Sequence, residues 1–434
     1  MSANSGSTSA APTSASEAAP PPAAPDTPVV KRRRSRGPII AVVVIVIILV
    51  AGLAVAYEEK WFPGQKSSST AVGACSRGNT LQGDGAQFAA PLLAAWESAY
   101  GSASGNSVNY PASGSGTGLT HFSAHPPIID FAVTDDPLTP SEVAAMPSAS
   151  LTLPIVGGAL TIIYNLPGIG GHVNLTGTVL AGIYNGTITT WNDPAITAIN
   201  PGVPLPPNTI VPVTRLDAAG TTYVLTDFLS QSNSWWATNV GKGISVNFPH
   251  VAAETSVKGN SLVISTVSKT SYAIGYSDLT DTLTTAGLQY AAIQNPAGNY
   301  IVPTIANTES AISDKVSTLT HVPTSAEAGG WYNVSMVRAN GTGDYPLATF
   351  VYLYVYKATD QGFPGPSGEP VPQVRAQILV QWLHYLLSPS GQAVADESQP
   401  SQLYYAPLPS SIVSVDQAGV QTMTYNGAAI PACT

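Results

Sequence analysis

The chain has 434 residues, 44% of them apolar, enough for two or three ordinary domains and a sizeable core. Only 9% are Asp, Glu, Lys or Arg, against about 25% in a usual soluble protein. Five of the 16 basic residues fall in Lys31–Arg36, and two of the 25 acidic ones precede Glu58. From Glu58 onward that leaves 11 basic and 23 acidic residues, a net charge of −12, which argues against a nucleic-acid partner of ordinary electrostatic type. Two cysteines exclude a disulfide-dense scaffold and a multi-cysteine metal centre.

In chain order, residues 1–38 begin as a Ser, Ala, Pro and Thr tail, predicted disordered because it has too little apolar surface to offset its ordering entropy. The tail ends in the basic cluster KRRRSR. Residues 39–57 then run without a charge, IIAVVVIVIILVAGLAVAY. At about 1.5 Å per residue this run just spans a hydrocarbon core of roughly 30 Å. The basic cluster before it predicts an inside N-terminus and an exported remainder, so the expectation is a single-pass signal-anchor in the cell membrane. A cleaved signal peptide is the competing reading, but its apolar region is shorter, about 7–15 residues. Lipidation at Cys75 competes too, although Cys75 lies 18 residues past the apolar run. Residues 58–79 read as a linker.

Beyond the linker, short apolar strands alternate with amphipathic stretches, the α/β pattern. Strands are predicted at Ile128–Val133, Leu153–Tyr164, Ile210–Val213, Ala273–Tyr276 and Thr349–Tyr356. Helices are predicted at Leu92–Tyr100, Thr222–Leu229 and Val374–Leu387. The last carries Ile378, Leu379, Trp382, Leu383, Leu386 and Leu387 at helical spacing.

Three glycine-rich corners each open a helix. The first is GDGAQF at Gly83–Phe88, with Pro91 just inside the helix. The second is GSGTG at Gly114–Gly118, and the third is RLDAAGTT at Arg215–Thr222. A helix N-terminus presents free N–H groups and the positive end of the dipole, and glycine lets an oxyanion approach closely. One such corner is ordinary turn chemistry. Three together, one with an arginine, point to an anion held mainly by dipoles, which suits an exported part that is negative overall. A fourth segment, DFAVTDDP at Asp130–Pro137, reads as a strand ending in Asp135 and Asp136, followed by a capping box at Thr139-Pro140-Ser141-Glu142.

The string GDGAQFAAPLLAAWESAYGSASGNSVNYPASGSGTG resembles the start of the phosphate-binding subunit of high-affinity phosphate ABC transporters. The motifs IDFAVTDDPLT, PIVGGALTIIYNLPG, GIYNGTITTWNDPAITAINPGVPLP, VTRLDAAGTT and YAIGYSD follow in the family's order. The resemblance implies a two-lobed, periplasmic-binding-protein-like (type II) α/β fold closing on one phosphate. It divides the exported part into residues 80–157 and 344–434 as one lobe and 158–343 as the other. It implies that Phe88 donates a backbone N–H and that Ser115 donates through backbone and hydroxyl. Arg215, oriented by Asp217, is the cationic contact, and Gly220 and Thr221 donate from the third corner. Asp135 accepts a proton from the ligand. Phosphate keeps a proton at neutral pH and sulfate does not, so a buried acceptor-only carboxylate rejects sulfate. The chain departs from the family pattern in two places. Gln87 stands where the family has Thr, and Ala218-Ala219 where it has Gly-Ser, so Ala219 keeps an N–H but brings no hydroxyl. Both Gln87 and Ala219 are carried into the expected phosphate-binding set, Gln87 as a substitute for the lost hydroxyl donor.

Other chemistry reads poorly. His121 and His125 have i,i+4 spacing, but no Glu lies between them and two prolines follow, so no metal is expected. Ser115 lacks the frame of a nucleophile elbow, and no catalytic residue, cofactor or enzyme activity is expected. The implied partners are inorganic phosphate, ABC permease subunits and, through residues 39–57, the membrane. A receptor or sensor of the same fold for another oxyanion is the alternative. Cys75 and Cys433 flank the folded part, domain termini often lie close together, and export favours oxidation, so a disulfide between them is predicted.

Overall fold

The computed structural model of the protein describes residues 76–327, 329–364, 371–395 and 402–432. The tail, the charge-free run 39–57, most of the linker, Cys75 and Cys433 lie outside the described residues. Among those described, no helix is long and apolar enough to cross a membrane.

The main sheet contains eight strands along one path: β1 Thr80–Gly85, β2 Ser107–Asn109, β3 Phe131–Thr134, β4 Ser150–Tyr164, β5 Val211–Arg215, β6 Thr255–Val257, β7 Ala273–Asp278 and β8 Ala348–Tyr356. Their spatial order is β2-β1-β3-β8-β4-β7-β5-β6, with the short strand Gln289–Tyr290 also on β4. At one end β2, β1 and β3 are parallel. At the other, β7, β5 and β6 are parallel. Two antiparallel strands join them: β8 pairs with β3 and with β4, and β4 pairs with β7.

β4 shows why the molecule has two lobes. Its 15 residues are buried except Ser150, at the strand's start. Leu151, Leu153, Ile155 and Val156 enter one hydrophobic core, while Ala159, Leu160, Ile162 and Tyr164 enter a second. At about 3.4 Å per residue such a strand is long enough to serve both. The sequence predicts its apolar run from Leu153, and pairing of Ser150–Thr152 with Tyr354–Tyr356 adds the first turnless residues. The first core also takes Ala311, Ile312, Trp331, Met336 and Ala339 from late in the chain.

The helices that matter for the site are α1 Ala90–Ser104, α2 Ser115–Phe122, α3 Gly220–Ser232 and α4 Asn260–Lys269. A fifth, α5 Gln373–Leu386, buries Ile378, Leu379, Trp382, Leu383 and Leu386 on one face. Trp382 packs edge-on to Tyr100 of α1 at 5.1 Å, and Arg375 grips Asp130 through two hydrogen bonds of 2.7 and 2.6 Å. The capping box is present: Thr139 Oγ1 accepts the Glu142 N–H at 3.1 Å and Glu142 accepts the Thr139 N–H at 2.8 Å.

Candidate anion-binding site

The first two corners are tied to β1. Ser113 and Gly85 both donate backbone N–H groups to Asp84 Oδ1 at 2.8 Å, and Gly114 N–H donates to the Gly85 carbonyl at 2.7 Å. Asp84 Oδ2 meets His121 Nδ1 at 2.8 Å, so this histidine braces the corner. Phe88 inserts its ring against Gly158, in the middle of β4. A Cβ at position 158 would sit 2.4 Å from that ring. Tyr405 hydroxyl donates to the Phe88 carbonyl at 2.6 Å, which leaves the turn into α1 fixed from both sides.

The third corner leaves β5 at Arg215. The guanidinium reaches five acceptors. Nε donates to Asp217 Oδ1 at 2.8 Å and Nη2 to Asp217 Oδ2. Nη1 donates to Thr221 Oγ1 at 3.2 Å and to Asn260 Oδ1, and Nη2 donates to Gln87 Oε1 at 3.4 Å. Burial acts to raise the Asp217 carboxyl, but the Arg215 hydrogen bonds, its charge and the Gly259 N–H outweigh it, so Asp217 titrates below its usual range. Ala219 takes an ordinary extended conformation, φ −137° and ψ 134°, and its N–H donates to the Ile244 carbonyl at 2.9 Å. The donor expected of Ala219 is therefore taken up within the protein. Ala218 does not adopt a positive φ, so the absent glycine leaves no strain there.

Asp135 comes from the turn after β3 and faces the start of α3. It is buried, with 2% exposure, and its Oδ1 has no hydrogen-bond partner among the described residues. Burial pushes its pKa up to about 7, and the Arg215 charge acts against that rise. Gly220 is required beside it, because a Cβ there would lie 2.5 Å from Asp135 Oδ2. β8 holds the turn: Thr349 Oγ1 donates to the Asp135 carbonyl at 3.2 Å and Tyr354 hydroxyl to that of Asp136 at 3.1 Å. A buried polar atom without a partner costs about 1–3 kcal/mol. Such an atom, beside a guanidinium and a helix N-terminus, suits a ligand that brings a proton.

The structure brings Gln87, Phe88, Ser115, Asp135, Arg215, Ala219, Gly220 and Thr221 around one narrow cleft, together with Gly114 and Asn260. Asp217 stands behind Arg215 rather than on the cleft. Gly220 N–H donates to Ser115 Oγ across it at 3.3 Å. A larger cavity, about 700 Å³, lies between α1, α5 and the segment near Ile430, but no Arg, Lys, Asp or Glu lines it. Size is thus a poor guide to the anion site.

Sequence reasoning assigned no role to Asn260, the first residue of α4. Its side chain accepts from Arg215 and donates to Asp278 Oδ2 at 3.0 Å. The Gly259-Asn260 pair ahead of Val263 and Val267 was the available signal. Tyr276 and Asp278 stand within the quoted YAIGYSD, and Tyr276 hydroxyl accepts the Arg215 N–H at 3.1 Å.

A family model described as a PBP superfamily domain matches residues 64–390. The Phosphate-binding protein PstS of Pasteurella multocida is 31% identical over 350 residues, covering 80% of this chain and 91% of that protein. The protein of the same name from Xylella fastidiosa strain Temecula1 is 32% identical over 350 residues, covering 78% and 84%. The chain belongs to this phosphate-binding protein family. Solved structures agree on the family's two-lobed α/β fold. The phosphate binding protein of Stenotrophomonas maltophilia superimposes with a TM-score of 0.57 at 18% identity, covering 78% of this chain and 93% of that one. A putative phosphate ABC transporter substrate-binding protein from Clostridium perfringens, solved with bound phosphate, gives 0.50 at 15%, covering 76% and 100%.

Proposed function

We propose that the protein is a membrane-anchored, extracytoplasmic receptor that captures inorganic phosphate between its lobes and delivers it to an ABC permease. The observation that carries this reading is Asp135: a buried carboxylate with an oxygen unpartnered among the described residues, sharing the cleft with Arg215 and the N-terminus of α3. Phe88, Ser115 and Thr221 supply dipolar donors to the ligand oxygens, Gly220 joins them when its N–H leaves Ser115 Oγ, and Arg215 supplies charge. Asp135 accepts the ligand's proton, which sulfate cannot offer at neutral pH. Membership of the family supports the transport role, and the basic cluster with the charge-free run 39–57 supports the anchor. Binding rather than reaction suits the site, since Ser115 Oγ meets a backbone N–H and not a base.

A receptor for another oxyanion is the second reading, favoured by Gln87 and by the engagement of the Ala219 N–H with Ile244. Thermal shift of the full-length protein at pH 8, where the Asp135 carboxyl is ionised, against phosphate, sulfate, arsenate and molybdate separates the two. Phosphate is expected to raise the melting temperature and sulfate not to. Equal stabilisation by both would overturn the Asp135 assignment, and stabilisation by molybdate alone would favour the second reading.

A further inference from the structure

We infer that Gln87 is a latch between the lobes whose side-chain carbonyl occupies the position of a ligand oxygen, so that latch and bound anion exclude each other. The inference rests on the anion-receptor reading and names how that site is regulated. Gln87 belongs to the corner after β1, between Ala86 and Phe88 of the first core. Its two partners belong to the other lobe. Gln87 Oε1 accepts the backbone N–H of Asn260 at 2.9 Å and Arg215 Nη2 at 3.4 Å. One donor is a guanidinium and the other is the first N–H of helix α4, the two donor types that a phosphate oxygen seeks.

Counting donors sharpens the point. A guanidinium has five N–H groups, and all five of Arg215 are matched: two by Asp217, one by Thr221, one by Asn260 and one by Gln87. An incoming oxyanion must displace one acceptor to touch Arg215. The Asp217 pair is bidentate and charge-assisted, and Asn260 is itself held by Asp278. The Gln87 contact is the longest of the five, is neutral, and comes from a half-buried side chain. It is the one that yields. Its departure frees the Arg215 Nη2 proton and the Asn260 N–H together, turning one broken latch into two donors aimed at the cleft. A threonine at position 87, the family residue, is too short to make the same bridge. Gln87 therefore closes the lobes without an anion and lowers affinity for one.

Calorimetry of inorganic phosphate binding to full-length Gln87→Ala and Gln87→Thr tests this directly. Removing the competitor is expected to tighten binding about tenfold, the equivalent of one charge-assisted hydrogen bond that no longer has to be broken. Gln87→Glu keeps the acceptor and adds a charge, so it should weaken binding about a hundredfold. Unchanged or weaker binding in the Ala and Thr variants would overturn the latch and make Gln87 an ordinary ligand contact. A second readout needs no phosphate. Hydrogen exchange at the Asn260 amide should be at least about tenfold faster in Gln87→Ala than in the wild type and slow in Gln87→Glu. Equal exchange in all three would sink the inference. Slow wild-type exchange with no phosphate binding by any form would instead overturn the phosphate reading and leave the latch standing.

Discussion

The two sides of the cleft treat their polar groups in opposite ways. On the first lobe, Asp135 holds a buried oxygen with no partner among the described residues, and burial lifts its pKa to about 7. On the second, Arg215 has every N–H satisfied by Asp217, Thr221, Asn260 or the reaching Gln87. One lobe carries an unmet acceptor and the other a fully engaged cation. A ligand that offers both a proton and negative oxygens meets Asp135 and, by displacing Gln87, takes its place on Arg215, and does both only when the lobes are together. Selectivity and charge recognition are thereby separated onto different elements, β3 and β5, so each can be broken alone.

The largest effect should come from the cationic side. Arg215→Ala is expected to weaken phosphate binding at least a hundredfold, because charge-assisted contacts are the strong ones and Asp217 loses its counter-ion. Ser115→Ala should cost only about tenfold. Calorimetry on both variants decides it, and equal losses would mean that helix N-termini alone hold the anion. The acceptor side should change selectivity more than affinity. Asp135→Asn puts an amide, which brings an N–H donor, where an acceptor-only carboxylate stood, so sulfate should gain on phosphate by about tenfold or more in competition binding. No gain for sulfate would remove Asp135 from the selectivity account.

The pH dependence is a gentler test of the same group. Because burial raises the Asp135 pKa to about 7, the carboxyl gains its proton as pH falls through that value and becomes a donor. Sulfate, which does not titrate there, should bind several-fold better at pH 5.5 than at pH 8, and Asp135→Asn should flatten the profile. A flat wild-type profile would mean the carboxyl stays ionised throughout. The smallest effect is expected where the lobes merely pack. Gly158→Ala drives a methyl toward the Phe88 ring and should lower stability by about 1–3 kcal/mol, read as a shift of the denaturation midpoint. An unchanged midpoint would show that the Phe88 corner relaxes freely.

Much of this contrast was legible in the residues. The corner glycines, Asp135 after an apolar strand, and Arg215 before a helix all carry local signals, and local chemistry decides them. The β4 apolar run was visible for the same reason, though its first residues are strand only because β8 lies alongside. Asn260 was not legible, since its importance comes from Arg215 lying 45 positions earlier in the chain. The engagement of Ala219 with Ile244 likewise depends on how the chain returns after α3. Gln87 was readable as a departure from the family but not as a bridge, because only the closed geometry shows which donors it meets.

The most direct measurement of the central claim is equilibrium dialysis of labelled phosphate against the full-length protein at pH 8, challenged with a thousandfold excess of sulfate. With Asp135 ionised and facing the ligand, phosphate should stay bound in the wild type and be displaced from Asp135→Asn. Displacement of phosphate by sulfate from the wild type would contradict the account.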